Sequence, residues 1–488
     1  MSSLWALHVV VLFYAVENWR GARRYSGVKL QLEQHGANLD WKSFAPAAIP
    51  DEQNAAMHPL LRPLCQYEQT FTPHPKWGKV PAIRWLDSNG LLRVEAVRLP
   101  YGWYEKRKYF EVEPNDLNPR IDLARWQTCF RHDTNFSSPA QPGAPAQDVL
   151  LALARFQPEL RELREALSRP RCRFALHYDE RPNDMRLRHL ACLRNLARML
   201  KLRAAAQLAV GDVENALGDT QDIFRLADVP KEEPVMTSFL LRATILRIGC
   251  AAISEGLARQ AWSESQLVRL QALLAKQDML TGLELAMKGE TASELQNLDT
   301  IPADGGYVGF QQFESLRWVP RGWFEQNKAT IADHVYQRFM PAFDSSTRRI
   351  FPAAVDSGEA ALSSMRPTPY SVVAILNLRC TDRAIRGAAY TQTVNDQALL
   401  ACALERHRLA TGCFPEMLAA LSPDYLSAVP HDVVTGGPLC YRLSPDGGFR
   451  LWSAGWNERD EGGLVKRTTR GGISIVEGDW VWERTVPN

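Results

Sequence analysis

Apolar residues recur at steps of three and four along the middle of the chain, which is the period of helices. This pattern begins near residue 147 with DVLLALARFQPELRELREALS and continues to about residue 300. A Gly-Asp pair at Gly211 and Asp212 separates two such segments and predicts a helical hairpin. Further along, Ser263-Glu264-Ser265-Gln266 is a capping-box pattern and predicts another helix start. The middle of the chain is therefore predicted to consist of antiparallel helix pairs.

Outside this region the periodicity changes, and the chain divides into six predicted segments. Alternating residues on both sides of PYG predict a β-hairpin within residues 80–113, and Gly412 with Pro415 is predicted to end a long helix. The fold class is thus predicted as α+β and predominantly α. In chain order the segments are an anchor helix at 1–36, an irregular and β-hairpin segment at 37–132, a linker at 133–146, a helical-hairpin domain at 147–345, an irregular linker at 346–370, and a long helix with a small domain at 371–488.

The first segment carries an apolar run, LWALHVVVLFYAV at residues 4–16. It is shorter than the roughly 20 residues that span a bilayer, and no small-residue cleavage site follows it. We interpret the run as an uncleaved membrane anchor whose upstream end precedes the first residue of this sequence. The alternative is a buried amphipathic helix. Arg20, Arg23 and Arg24 follow the run, and by the positive-inside rule they favour a cytoplasmic body.

Composition excludes several classes of protein. The chain has 57 basic and 55 acidic residues, interspersed, with a net charge of +2. A nucleic-acid surface needs a concentrated positive field, so no nucleic-acid partner is expected. Nine scattered cysteines without a CxxC pair predict buried free thiols rather than a disulfide framework or a zinc ribbon. Cys413 and Cys440 fall in one predicted domain and could pair if oxidised.

The hairpin around Gly211 resembles one tetratricopeptide unit. GDVENA matches the turn of that repeat, and Ala216 stands at its small packing position, whereas Thr220 replaces a usual large apolar residue. The resemblance implies a concave helical face that docks a protein partner. A helical domain without any partner is the alternative, because helical packing alone implies no ligand.

The stretch from about residue 391 to 482 resembles the globular part of the major pseudopilin of type II secretion systems. The motifs that carry the resemblance are VPHDVVTGGPLCYRL, FRLWSAGWNERDEGG and GDWVW, in that order, after a long helix. It implies a helix with a small antiparallel sheet, an extracytoplasmic body, and a link to a secretion or pilus-like assembly. The chain departs from the family at its N-terminus, which has no prepilin-peptidase site. With ENWRGARR and RGWFEQNK, the whole arrangement resembles large uncharacterised membrane-anchored proteins of planctomycetes and verrucomicrobia.

Pseudopilins of this type hold calcium in the loop before the closing strand. The corresponding residues here are Asn457, Asp460, Glu461 and Asp479, which the resemblance implies as calcium ligands. Hard cations such as Ca²⁺ take six to eight oxygen ligands. Arg459 lies inside the run, and the spacing fits no EF-hand. The alternative is an acidic turn that needs its glycines only for backbone conformation.

Candidate catalytic chemistry is sparse. The sequence has no phosphate-binding loop, no HExxH and no GxSxG. The Cys/His pairs His407 with Cys413 and His431 with Cys440 are weak matches to a nucleophilic arrangement. Four tryptophans in the last strands fit either core packing or stacking on a glycan. The sequence favours a membrane-anchored binding or scaffold protein of the cell envelope, without assigned catalysis. The alternative is an envelope hydrolase with a cleft between the helical and C-terminal domains.

Overall fold

The chain is predominantly helical, with small antiparallel sheets, as the sequence predicts. The computed structural model describes residues 2–74, 78–100, 121–179, 182, 185–304, 307–308, 311–312, 318–469 and 471–484. Its helices are α1 Ser2–Gln34, α2 Ser88–Glu95, α3 Leu123–His132, α4 Pro145–Leu153, α5 Gln157–Leu167, α6 Arg188–Ala209, α7 Val213–Asp228, α8 Met236–Ala258, α9 Glu264–Leu274, α10 Met279–Asp304, α11 Arg321–His334, α12 Pro352–Ser363, α13 Val372–Leu378 and α14 Thr381–Thr411. Its strands are β1 Tyr67–His74, β2 Gly78–Trp85, β3 Tyr307–Val308, β4 Gln311–Gln312, β5 Phe343–Asp344, β6 Arg349–Ile350, β7 Cys440–Leu443, β8 Phe449–Ser453 and β9 Trp480–Arg484.

The hairpin in the middle of the chain forms where the Gly-Asp pair predicts it. Gly211 adopts a φ of 82° between α6 and α7, a conformation that glycine enters without a Cβ clash. Ala216 is fully buried, as its small size predicts. Thr220 is also fully buried, and its hydroxyl donates to the carbonyl oxygen of Ala216 at 2.8 Å. That internal hydrogen bond explains how a polar residue occupies a position that is usually apolar.

Helix α8 lies at the centre of the helical body, because α6, α7, α10 and α14 all pack against it. Among the helices that the structure describes, α8 is the one long and apolar enough to cross a membrane, and two thirds (67%) of its most apolar window is buried inside the protein. Helix α9 begins at the predicted capping box, in which Ser263 and Gln266 exchange hydrogen bonds with each other's backbone. The predicted helical middle is therefore present.

The long C-terminal helix joins the helical middle to the last sheet. It begins as α13, restarts as α14 and ends at Gly412, whose φ is 88°. One side of α14 packs on α8 and α9, and β8 and β9 pack against it as well. The run TQTVNDQ in its middle is entirely buried although six of its seven residues are polar. The apolar core also includes residues of the predicted 346–370 linker, namely Ile350, Val355 and Leu362.

The β-hairpin of the first third lies upstream of its predicted place. Strands β1 and β2 pair from Tyr67 with Trp85 to His74 with Gly78. Helix α2 instead lies among the residues predicted as the first strand. The helix starts there because the Asp87 side chain caps it by accepting from the Gly90 N–H at 2.8 Å. Two apolar residues three positions apart are then buried on one face of this helix. The second half of the prediction falls within 101–120, outside the described residues.

The two predicted linkers differ from each other. Residues 133–144 contain no helix or strand, and Arg131 holds them by donating to the carbonyl oxygen of Pro139 at 2.8 Å. The segment 346–370 is not irregular, which corrects the prediction: it contains β6 and α12. Helix α12 buries Val355 and Leu362, and it packs on α14 and on the π-helical turn Val335–Phe339. Alanine, serine and glycine between those apolar residues obscured the helical period.

The last three strands form one antiparallel sheet in the order β7-β8-β9. Cys440 pairs with Trp452, and Trp452 pairs with Val481. The four tryptophans of this region are buried, which confirms core packing over an exposed stacking surface: Trp452, Trp456, Trp480 and Trp482. The side-chain amide of Gln397 donates to the Trp480 carbonyl oxygen at 2.7 Å and fastens the sheet to α14.

Candidate functional site

The loop that carries the predicted calcium ligands follows β8 and is closed by Asp479, just before β9. The Asp479 carboxylate is fully buried and accepts backbone N–H groups of Glu461 at 3.1 Å, Gly463 at 2.7 Å and Leu464 at 3.1 Å. Its own N–H donates to the Leu464 carbonyl oxygen at 2.9 Å. Asp479 therefore holds the loop through main-chain amides that converge on its carboxylate.

The Asp460 carboxylate also accepts hydrogen bonds that hold this loop, and it lies nearer the surface than Asp479. One carboxylate oxygen accepts the indole N–H of Trp452 at 2.8 Å and the Gly462 N–H at 2.9 Å. These two hydrogen bonds, the indole first, lower the pKa of Asp460. Burial raises the pKa of Asp479, against three backbone hydrogen bonds that lower it, and the negative charge of Asp460 raises it further. The two carboxylates are thus close enough to interact, and their pKa values are shifted in opposite directions.

The arrangement brings three of the four predicted ligands into one loop, with Asn457 in the turn before it. The side-chain oxygen of Asn457 accepts the Arg459 N–H at 3.1 Å. Calcium is normally held by carbonyl and carboxylate oxygens facing inward, whereas amide N–H groups face the carboxylates of Asp460 and Asp479. Within the described part of the chain, no group of three or more His, Cys, Asp or Glu side chains is placed to hold a metal ion. Calcium binding by this loop stays a prediction.

The two histidine–cysteine combinations have other partners in the structure. His407 Nδ1 lies 2.9 Å from the carbonyl oxygen of Cys413, at the end of α14. His431 Nε2 lies 3.3 Å from the Arg348 carbonyl oxygen. Burial raises the pKa of the Cys440 thiol to about 11, and Asp460 contributes to the rise, so the thiol is protonated at neutral pH. Neither contact places a histidine nitrogen against a cysteine sulfur, and all nine cysteines are free thiols.

A buried polar chain that sequence reasoning missed links α6 to the start of α8. His189 Nε2 lies 2.9 Å from a Glu233 carboxylate oxygen, and the Ser238 hydroxyl donates to the other oxygen of Glu233. The acid lies between the histidine and the serine, whereas a hydrolytic triad places the histidine in the middle. Ser238 and His189 are both fully buried. These three hydrogen-bonded side chains connect α6 to α8. Their spacing in the sequence matches no motif that would have predicted the contact.

The first half of α1 exposes apolar side chains all around the helix, in contrast to the buried polar side chains between α6 and α8. Four consecutive residues from Val9 to Leu12 are exposed, and four consecutive positions cover every side of a helix. Trp5 and Trp19 stand at the two ends of this run with 72% and 60% of their surface exposed. The exposed large apolar side chains of α1 up to residue 19 are Leu4, Trp5, Leu7, Val9, Val10, Val11, Leu12, Phe13, Val16 and Trp19.

The second half of α1 is docked along α11, and the two helices run parallel. The Trp323 indole donates to the buried carboxylate of Glu17 at 2.9 Å, and the Gly322 N–H donates to the side-chain oxygen of Asn18 at 2.9 Å. The two short motifs ENWRGARR and RGWFEQNK therefore contact each other. We call this contact the α1–α11 junction. The sequence presents both motifs but offers no sign that they meet.

No protein-family model matches this chain, and neither a curated protein nor a solved structure does so.

Proposed function

We propose that this protein is a membrane-anchored binding or scaffold protein of the bacterial cell envelope. The observation that carries the proposal is the apolar first half of α1, exposed on all sides. Monomeric proteins in water rarely keep a continuous apolar surface of this kind uncovered. A lipid bilayer covers it without needing a complementary groove, and a helix satisfies its own backbone hydrogen bonds there.

The dimensions of residues 4–16 fit a place inside the hydrocarbon core of the bilayer. The 13 residues from 4 to 16 rise about 20 Å, against a hydrocarbon core of about 30 Å. Trp19 and the arginines that follow it then lie where the headgroups begin. Tryptophan and arginine are enriched at that depth, because their side chains combine apolar and polar parts.

The α1–α11 junction supports a scaffold, because it connects the anchor stiffly to the body. Glu17 and Asn18 make hydrogen bonds to the start of α11, and α1 continues without a break from the exposed half to the docked half. A helix held in this way keeps the body at a fixed distance and tilt from the bilayer. A flexible tether would leave both free.

The protein partner is proposed to dock on the helical body. Its support is the stacked helix pairs around α8, an architecture that offers extended surfaces. Large apolar residues are exposed there singly, at Leu151, Val210, Leu240 and Val268. A photo-crosslinker at Leu240 on α8 should give a discrete product in cells, whereas the same group at Leu443 on β7 should not. Equal labelling from both positions would argue against a helical docking face.

A pseudopilin-like C-terminal module and a link to a secretion or pilus-like assembly belong to the same proposal. The support is the order of a long helix followed by a three-stranded antiparallel sheet, together with the quoted motifs. No comparable observation favours the envelope hydrolase. The hydrolase alternative expects a cleft between the helical and C-terminal domains, where α14 lies. Buried side-chain amides of α14 contact both sides there: Asn395 donates to the Leu274 carbonyl oxygen on α9 at 3.1 Å, and Gln397 donates to the Trp480 carbonyl oxygen on β9.

The anchor is tested by fractionation of full-length protein without detergent. Replacing Val10, Val11 and Leu12 with glutamine should release the protein from membranes, because it places polar amides in the hydrocarbon core. The matched control replaces Leu151, Leu240 and Val268 with glutamine, and this variant should stay in the membrane fraction. Deleting residues 1–24 is a poorer test, since it also removes Glu17 and Asn18 from the junction. A wild-type protein found in the soluble fraction would overturn the proposal.

A further inference from the structure

Two arginines at the start of the docked half of α1 lack an acidic partner. Arg23 and Arg24 are exposed, and among the residues that the structure describes neither forms an ion pair. Their neighbours differ in this respect: Arg20 pairs with Glu17 at 2.8 Å and Lys29 pairs with Glu33 at 3.7 Å. Ion pairs within the described part of the chain therefore leave the positive charge of both arginines uncompensated.

The surroundings of these arginines are those of a membrane interface. The guanidinium of Arg23 lies over the ring of Trp19, 5.4 Å from its centre, and Arg24 donates to the Thr330 hydroxyl at 3.2 Å. A second tryptophan, Trp318, has 76% of its surface exposed, and its carbonyl oxygen accepts the hydroxyl of Tyr14 on α1. Both tryptophans thus lie at the level where the apolar half of α1 ends.

We infer that Arg23 and Arg24 bind the phosphate groups of anionic phospholipids, with Trp19 and Trp318 seated at headgroup depth beside them. The inference rests on the proposed membrane anchor and names the lipid class that the anchor selects. A guanidinium offers several N–H donors in a plane that matches phosphate oxygens, and basic residues at a membrane surface are attracted to acidic lipids. The hydrogen bond of Arg24 to Thr330 fixes one of these cations against the body, which orients it before it meets a lipid.

The test is flotation of the full-length chain with vesicles during cell-free synthesis. Vesicles of phosphatidylcholine alone are compared with vesicles that also contain phosphatidylglycerol. The wild type should float with both, and the acidic lipid should strengthen partitioning by about fivefold per arginine, or about thirtyfold for the pair, at low salt. High salt should remove most of this increment, because it screens exposed charges.

Variants separate the inference from the proposal beneath it. Arg23→Gln with Arg24→Gln should float with neutral vesicles as the wild type does and lose the increment from acidic lipid. Arg23→Lys with Arg24→Lys should keep most of that increment, and both variants should melt like the wild type. The control pair Lys231→Gln with Arg442→Gln removes the same charge from other exposed positions and should keep it as well.

The outcomes are distinguishable. A wild type that floats with neither kind of vesicle would overturn the membrane anchor itself. A wild type that floats equally with both, or an increment that the control pair loses as much as the arginine pair does, would overturn the lipid-headgroup inference and leave the anchor standing. In that case the unpaired arginines would be free for the carboxylates of a protein partner.

Discussion

Gly21 of α1 lies directly against Gly322 of α11, backbone to backbone. A Cβ atom on Gly21 would overlap with the carbonyl oxygen of Gly322, and a Cβ atom on Gly322 would overlap with the carbonyl oxygen of Glu17. Two parallel helices can approach this closely only where neither carries a side chain. The glycine pair therefore sets the spacing of the α1–α11 junction and, with it, the hydrogen bonds of Glu17 and Asn18.

The first prediction follows from this contact. Gly21→Ala should lower the free energy of unfolding by about 1–3 kcal/mol, because the added methyl group forces the two backbones apart. Gly27→Ala in the same helix is the control: no atom lies within 4 Å of its Cβ position, so alanine should stabilise the helix by about 0.5–1 kcal/mol. Denaturant unfolding measures both. Equal effects of the two substitutions would contradict the close crossing.

The same glycines show which features of the fold can be predicted from the sequence and which cannot. The apolar period and the capping signals predicted helices, the turn at Gly211 and the end at Gly412, because these depend on neighbouring residues. Gly21 and Gly27 look alike in sequence, and only the contact with a distant helix distinguishes them. The loop shows a further limit: main-chain amides donate to Asp460 and Asp479, and nothing in the sequence indicates that these amides face the two carboxylates.

The polar run of α14 resisted prediction for a related reason. A helix with six polar residues among seven is expected to face water. Here their partners come from other elements: Gln392 accepts the Met279 N–H at 2.9 Å, and Arg348 pairs with Asp396 at 2.9 Å. Such partners cannot be identified until the tertiary fold is known.

The second prediction concerns the helical hairpin. Ala216→Trp should destabilise the protein by about 1–3 kcal/mol, because Ala216 is fully buried between helices and a large ring overpacks that space. Ala209→Trp at the exposed end of α6 is the control and should change stability by less than about 0.5 kcal/mol. Thermal melting of both variants measures the difference. An unchanged melting temperature for Ala216→Trp would place this residue at the surface.

The third prediction is a pH dependence that originates in α10. Burial raises the pKa of Glu294 to about 7, and the nearby charge of Glu290 adds to the rise. A raised pKa in the folded state means that this group stabilises the fold below pH 4.5, and that this contribution is lost as the pH rises towards 7. Glu294→Gln should remove that decline, so the variant should gain stability over the wild type between pH 5 and pH 7.5.

Glu284 on the same helix provides the control for this pH dependence. Burial alone would raise its pKa, but hydrogen bonds from Lys288 and Ser345 outweigh burial and lower it. Its contribution to stability is therefore present above pH 4.5 and is lost as the pH falls below that value. Glu284→Gln should accordingly lose stability relative to the wild type at pH 7.5. Parallel pH profiles for the two variants would refute the assignment to Glu294.

The fourth prediction concerns the side of the membrane. The pseudopilin resemblance implies an extracytoplasmic body, whereas Arg20, Arg23 and Arg24 favour a cytoplasmic body by the positive-inside rule. Following the resemblance, we expect an alkaline phosphatase fused to the C-terminus to be active in intact cells and a green fluorescent protein fused there to be dark. The reverse pattern would place the body in the cytoplasm and would show that the arginines set the topology.

The fifth prediction asks what the loop between Trp456 and Asp479 holds. Because α14 packs on both the helical body and the last sheet, the full-length chain is the sample. If Asn457, Asp460, Glu461 and Asp479 bind calcium, the protein should melt at a higher temperature in millimolar calcium than in chelator, since a ligand that binds only the folded state stabilises it. Asp460→Ala should abolish the difference, and Asp424→Ala in another exposed turn should leave it unchanged.

Asp479→Asn separates the two roles of the loop. The substitution replaces one acceptor oxygen by an amide that faces other amides, so it should cost about 1–3 kcal/mol of stability with or without calcium. A calcium-dependent shift that vanishes together with this loss would mean that the carboxylate both closes the loop and binds the ion. If the wild type melts identically in calcium and in chelator, the convergent amides of Glu461, Gly463 and Leu464 are themselves the partners of the buried Asp479 carboxyl group. The loop is then a turn fastened by a carboxylate where a pseudopilin would use a cation.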